Sequence, residues 1–123
     1  MIQLLQGFPE NVVALAGSGR TTRADYDTVV IPAVEAAFAR HRGVRLYYGL
    51  ATNFDGIEAA AAWKDFLVGM RHLRGWERIA VATDLAWIGH ALQLFDFLMP
   101  GRLRVFGLPE IAAARAWIAA SES

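Results

Sequence analysis

The chain has 123 residues, twelve basic and twelve acidic side chains, and no cysteine. That length predicts one domain, able to bury about two thirds of the surface its unfolded form exposes without a disulfide or metal staple. Zero net charge and the lack of a Lys/Arg run argue against nucleic acid as a partner, and the missing thiols exclude zinc-thiolate sites and thiol nucleophiles and fit a cytoplasmic location.

The opening residues, MIQLLQGFPEN, lack a basic leader and a small-residue cleavage site, so they read as a strand and not as a signal peptide. Residues 2–6 and 12–16 are short apolar runs separated by turn formers, which predicts a hairpin. GSGR at 17–20 breaks the chain, and Thr22 with Asp25 three residues on forms an acidic variant of the capping box. The helix that follows carries Tyr26, Val30, Ala33 and Ala37 on one face. Pro32 removes the bond to the Thr28 carbonyl and should bend it.

Gly43 ends this helix, and 44–51 (VRLYYGLA) reads as a strand. From Gly56 to His72 apolar residues return at helical spacing, with Ala60, Trp63, Phe66, Leu67 and Met70 inward and Arg71 and His72 closing against the helix dipole. Residues 78–83 form a buried strand, Asp84 caps an apolar helix, and Pro100 and Gly101 stop it. RLRVF at 102–106 is the last strand and 108–120 the closing helix, with Pro109 near its first turn. The order ββαβαβαβα defines an α/β class: a mixed sheet of about five strands, largely parallel, flanked by about four helices.

The helix at 84–99 is the least ordinary element. It is apolar nearly all round, yet at about 1.5 Å per residue it spans only about 20 Å, too short to cross a bilayer. Leu85, Ile88, Leu92 and Phe95 form one face, and Trp87, Ala91, Leu94 and Leu98 another, roughly opposed. One face covers the sheet. The second needs a further partner: another subunit, an apolar ligand or a membrane surface. Burial of each large residue there is worth about 2 kcal/mol.

Several local sequences, and the element order, resemble the SpoIIAA-like family, small relatives of STAS domains. They are the N-terminal hairpin, TRADYDTVVIPAVEAA with its internal Pro32, FDG at 54–56, Trp63 with Lys64 and Asp65, Gly69, His72, ERIAVATDLAW at 77–87 and PGRLRVF at 100–106. The resemblance implies a four- or five-stranded mixed sheet, a wider similarity to CRAL-TRIO (Sec14-type) lipid-binding folds, and no enzymatic activity. STAS kinship also implies a phosphorylation switch on a serine after the third strand. The matching loop, 51–56, has no serine; Thr52 is its only hydroxyl and the candidate modification site. Asp55 already places a negative charge there, and the plainer reading makes Asn53 and Asp55 helix caps.

Other constellations are thin. GSGRTT at 17–22 lacks the third glycine of a dinucleotide fingerprint, with Thr22 in its place, and reads better as a turn feeding a helix. His41, His72 and His90 fall on three helices without ligand spacing, so no metal or other cofactor is expected. The only serines are Ser18, Ser121 and Ser123, which leaves no Ser-His-Asp triad and no catalytic residue to name. Asp65, His72 and Asp55 around a pocket would make an enzyme, but Asp65 and His72 are more simply a surface pair and a helix-end cation.

Two functions of different class therefore stand. In the first, the chain is a binding module whose surface, comprising Phe54, Trp63, Trp87, His90, Ala91, Leu94 and Leu98, serves a homodimer or a protein partner. In the second, the same apolar face lines a cavity for a lipid or another hydrophobic small molecule.

Overall fold

The period-two alternation of Val12, Val13, Ala14 and Leu15 sends successive side chains to opposite sides of a sheet, and both sides are buried. That sheet is the centre of the computed structural model, which describes residues 1–55, 76–86, 88 and 103–120. Its strands are β1 (Ile2–Leu4), β2 (Val12–Gly17), β3 (Val44–Leu50), β4 (Trp76–Ala82) and β5 (Leu103–Phe106), hydrogen-bonded in that order. β1 pairs antiparallel with β2 as the predicted hairpin, and every later pair is parallel. The mixed α/β sheet expected from the sequence is thus present.

Helical segments cover both faces. α1 (Arg23–Asp25), a π-helical turn (Tyr26–Val30) and α2 (Ile31–Arg40) lie against Leu15, Leu46, Ile79 and Val81. α3 (Ile111–Ala119), entered through a 3-10 turn at Leu108–Glu110, covers Ala14, Tyr47, Ala80 and Ala82 on the other side. The small residues of that second face let the helix approach closely. Ala86 and Ile88 are helical, and Ile88, 6% exposed, joins the first cluster with Leu85 packed against it. The helix expected over 56–72, most of that over 84–99, and Arg102 of the last strand lie outside the described residues.

The start of the first helix forms as its sequence dictates. The Thr22 side chain accepts from Asp25 N–H at 3.2 Å and Asp25 returns a bond to Thr22 N–H at 3.1 Å. The expected bend at Pro32 takes another form. Ile31 N–H bonds back to Tyr26 oxygen, five residues away, so the wide turn precedes the proline and leaves it at the beginning of α2, where a missing donor costs least. The wider turn also delays the helical phase. Val34 is fully buried, where Ala33 was the residue expected, and Ala33 only flanks the core.

β4 begins two residues earlier than predicted, at Trp76, which is 1% exposed and meets Phe38 edge-on at 5.0 Å. A bulge explains the miss. Val44 pairs with Trp76 but Arg45 with Arg78, so Glu77 is an extra residue. The bulge keeps Trp76 on the α2 side while Glu77 and Arg78 both serve groups on the α3 side. Glu77 bonds Arg45 Nε at 3.2 Å and Asn11 Nδ2 at 3.4 Å. Arg45, only 7% exposed, donates to the carbonyls of Ile118 and Ala120, and Arg78 donates to that of Trp117 at 2.7 Å. Two sheet arginines therefore bond the carbonyls at the end of α3, one of which, that of Trp117, also accepts Ala120 N–H, and both face its negative dipole end.

Candidate functional site

Because β2 to β5 run the same way, the segments leaving their carboxyl ends gather at one end of the sheet, where open α/β sheets place ligands and partners. The segments are Gly17–Thr22 after β2, Ala51–Asp55 after β3, Thr83–Leu85 after β4 and Gly107 after β5.

The first two are tied together by backbone. Ala51 N–H donates to Gly17 oxygen at 2.9 Å, Asp55 N–H to Gly19 oxygen at 2.8 Å and Thr21 N–H to Asp55 oxygen at 2.7 Å. Asn53 Oδ1 accepts Gly19 N–H at 3.3 Å. The GSGR turn is the turn the sequence predicted, with Gly19 at φ +59 where a side chain would be strained. Beneath it Phe54 sits edge-on to Tyr48 at 6.4 Å. Gly17 makes that packing fit, since a Cβ there would lie 2.9 Å from Leu50, 3.0 Å from Tyr48 and 3.1 Å from Phe54. Desolvation, with Asp25 a smaller contribution, raises the Tyr48 phenol above its ordinary range, and it stays protonated at neutral pH.

Thr52 is exposed on the turn after β3. Asn53 gives its side-chain oxygen to the Gly17–Thr22 turn, and the helix it was expected to cap lies outside the described residues. Asp55 is exposed and makes its described bonds through its backbone.

The segment after β4 differs in detail from its sequence reading. Thr83, 6% exposed, accepts Leu85 N–H on Oγ1 at 3.0 Å, a local turn just ahead of the first helical residue, Ala86. Asp84 Oδ1 accepts Leu108 N–H at 2.8 Å and ties the start of the 84–99 segment to the entry of α3. A threonine beside an aspartate offers two acceptors, and sequence alone does not say which turns inward. Of the surface named from sequence, Phe54 lies within this loop cluster; Trp63, Trp87, His90, Ala91, Leu94 and Leu98 lie outside the described residues, as do Asp65 and His72. His41 follows the last residue of α2 and precedes the amino end of β3, at the opposite end of the strands from this loop cluster. Among the described residues no group of three or more His, Asp or Glu gathers as metal ligands, and no helix is long and apolar enough to cross a membrane.

A mostly parallel sheet with helices on both faces, an antiparallel first strand and a bonded loop cluster at the carboxyl ends fit the STAS-type module that the sequence resemblance implies. The model of the SpoIIAA-like family matches residues 12–119, and the chain belongs to that family. Among solved structures it is similar to an uncharacterised protein of the DUF3478 family from Shewanella loihica PV-4, which has a SpoIIAA-like fold. The two share 22% identity and a TM-score of 0.67 over 96% of this chain and 92% of that one. No curated protein matches the chain.

Proposed function

We propose that this STAS-type module is a non-enzymatic binding protein that associates with a second copy, or docks a partner protein, through the apolar surface of its 84–99 segment. The observation that carries the reading is the packing of Leu85 and Ile88 into the core on the α2 side of the sheet. On the helical spacing expected from the sequence, at about 100° per residue, Trp87, Ala91, Leu94 and Leu98 belong to a different face from Leu85 and Ile88. Thr83 and Asp84 fix the direction in which the segment leaves the sheet. The loop after β3 supports the companion proposal that the family's phosphorylation switch is absent: it has no serine, and Thr52 stands in the turn before Phe54.

Light scattering on a sizing column at low concentration tests the association. The expected result is a dimer mass for the native chain and a monomer mass, with an unchanged circular dichroism spectrum, for Leu94→Lys. A native monomer overturns self-association. Native mass spectrometry of protein taken from cells checks the hydrophobic-ligand reading, which requires a mass above that of the bare chain.

A further inference from the structure

The outer face of α3 carries a second surface, on the opposite side of the sheet from Leu85 and Ile88. Its central residues, Ala112, Ala116 and Ala119, are all exposed alanines. At about 100° per residue Arg115 falls at one edge of this strip and Trp117 at the other. Both edges are cationic. The Arg115 guanidinium stands 4.7 Å from the ring centre of Phe8, while those of Arg78 and Arg104 each stand 5.3 Å from that of Trp117. Arg104 also lies 5.3 Å from Phe106.

Arg78 uses one nitrogen on the end of α3, but Arg104 and Arg115 are exposed and, among the described residues, form no ion pair and no hydrogen bond. A guanidinium stacked on an aromatic face is held in place with its N–H edge free, and that edge matches a carboxylate in two-point geometry. A smooth strip of methyl groups admits a helix at close range. It has no relief with which to enclose a small anion.

We infer that this face docks an acidic amphipathic helix of a protein partner, its small apolar stripe on Ala112, Ala116 and Ala119 and its carboxylates on Arg115 along one edge and Arg104 along the other. Charge complementarity selects the occupant: a second copy of α3 would set arginine against arginine, with no acidic residue between Ile111 and Ala119 to answer it.

The test is nuclear magnetic resonance titration of the labelled full chain with a synthetic amphipathic helix bearing Glu on both sides of an Ala stripe. Parallel titrations use its Lys-for-Glu counterpart, inorganic phosphate, and vesicles containing phosphatidylserine. The expected result is saturable, salt-weakened shifts at the Trp117 indole N–H and the Ala112 and Ala116 amides with the acidic peptide, and binding at least about tenfold weaker for Arg104→Glu/Arg115→Glu. Arg104→Gln/Arg115→Gln, which adds no repulsion, gives the same direction should the reversal disturb the fold. Equal binding by native and variant chains, equal binding of the Lys peptide, or shifts produced only by phosphate or vesicles overturns the inference.

Discussion

Glu77 reaches Arg45 at 3.2 Å because the bulge at the start of β4 turns two consecutive side chains, Glu77 and Arg78, toward groups on one side of the sheet. The pair is asymmetric. Arg45 is enclosed and also holds two carbonyls of the last helix, whereas the Glu77 side chain keeps 33% of its surface in solvent. Arg45→Ala therefore strips partners from the Ile118 and Ala120 carbonyls as well as from Glu77. It should cost about 2–4 kcal/mol in urea denaturation, and Arg45→Lys, with charge but no fork, should recover less than half.

Gly43 is the other half of this arrangement. A Cβ at position 43 would lie 2.4 Å from Glu77 Cδ, so Gly43→Ala must displace the carboxylate. The expected outcome is a loss of about 1–2 kcal/mol in the native chain and a smaller one in a Glu77→Ala background, because the carboxylate is then already gone. A double-mutant cycle by chemical denaturation measures the difference; additive costs would show that the clash lies elsewhere.

At the opposite end of the strands, Gly17→Ala drives a methyl group against Leu50, Tyr48 and Phe54. Backbone resonances of Thr52–Asp55 should move most, and Phe54→Ala should relieve part of the destabilisation by vacating one of the three contacts. Shifts confined to the β2 side would sink this account.

Thr83→Val removes the acceptor for Leu85 N–H, and Asp84→Ala the acceptor for Leu108 N–H. Each should lower stability by about 1 kcal/mol, and hydrogen exchange should quicken at Leu85 in the first variant and at Leu108 in the second. The reverse pattern would show that these two acceptors serve other donors than Leu85 and Leu108.

Stability should also fall in alkali. Burial holds the Tyr48 and Tyr47 phenols above the ordinary value of 10.0, so above about pH 10 the unfolded chain releases protons that the folded chain retains. That contribution is intact below pH 10 and drains away as pH rises beyond it. Melting temperatures at pH 9 and pH 11 should differ less in Tyr48→Phe, which keeps the ring against Phe54 and loses only the hydroxyl.

What sequence makes legible here follows the range of the interaction. The hairpin, the Thr22 and Asp25 capping box, the GSGR turn and the alternating strands depend on near neighbours, and the fold reproduces them. The π-helical turn ahead of Pro32, the bulge at Glu77 and the pairing of Asp84 with Leu108 each depend on a residue's place in the assembled sheet. Arg45 is the sharpest case. In VRLYYGLA it looks like one solvated residue in an apolar run, and only the end of α3, 73 residues on from it at Ile118, makes its burial tolerable. The loop cluster was half legible: Phe54, Asn53 and Asp55 stood out, but their tie to Gly17–Thr22 needed strand pairing to show it.

The consecutive order of the strands also sets a sequence of events in time. During synthesis each parallel strand can join a neighbour already made, yet Arg45 and Arg78 find their main-chain acceptors only when α3 emerges. Until then the Arg45 guanidinium has Glu77 of β4 but no main-chain acceptor, and the apolar residues Ala14, Tyr47, Ala80 and Ala82 on the same side have no cover. Docking of the final helix therefore both covers that apolar cluster and supplies the carbonyls that Arg45 and Arg78 require, so hydrogen-exchange protection on that side should appear last.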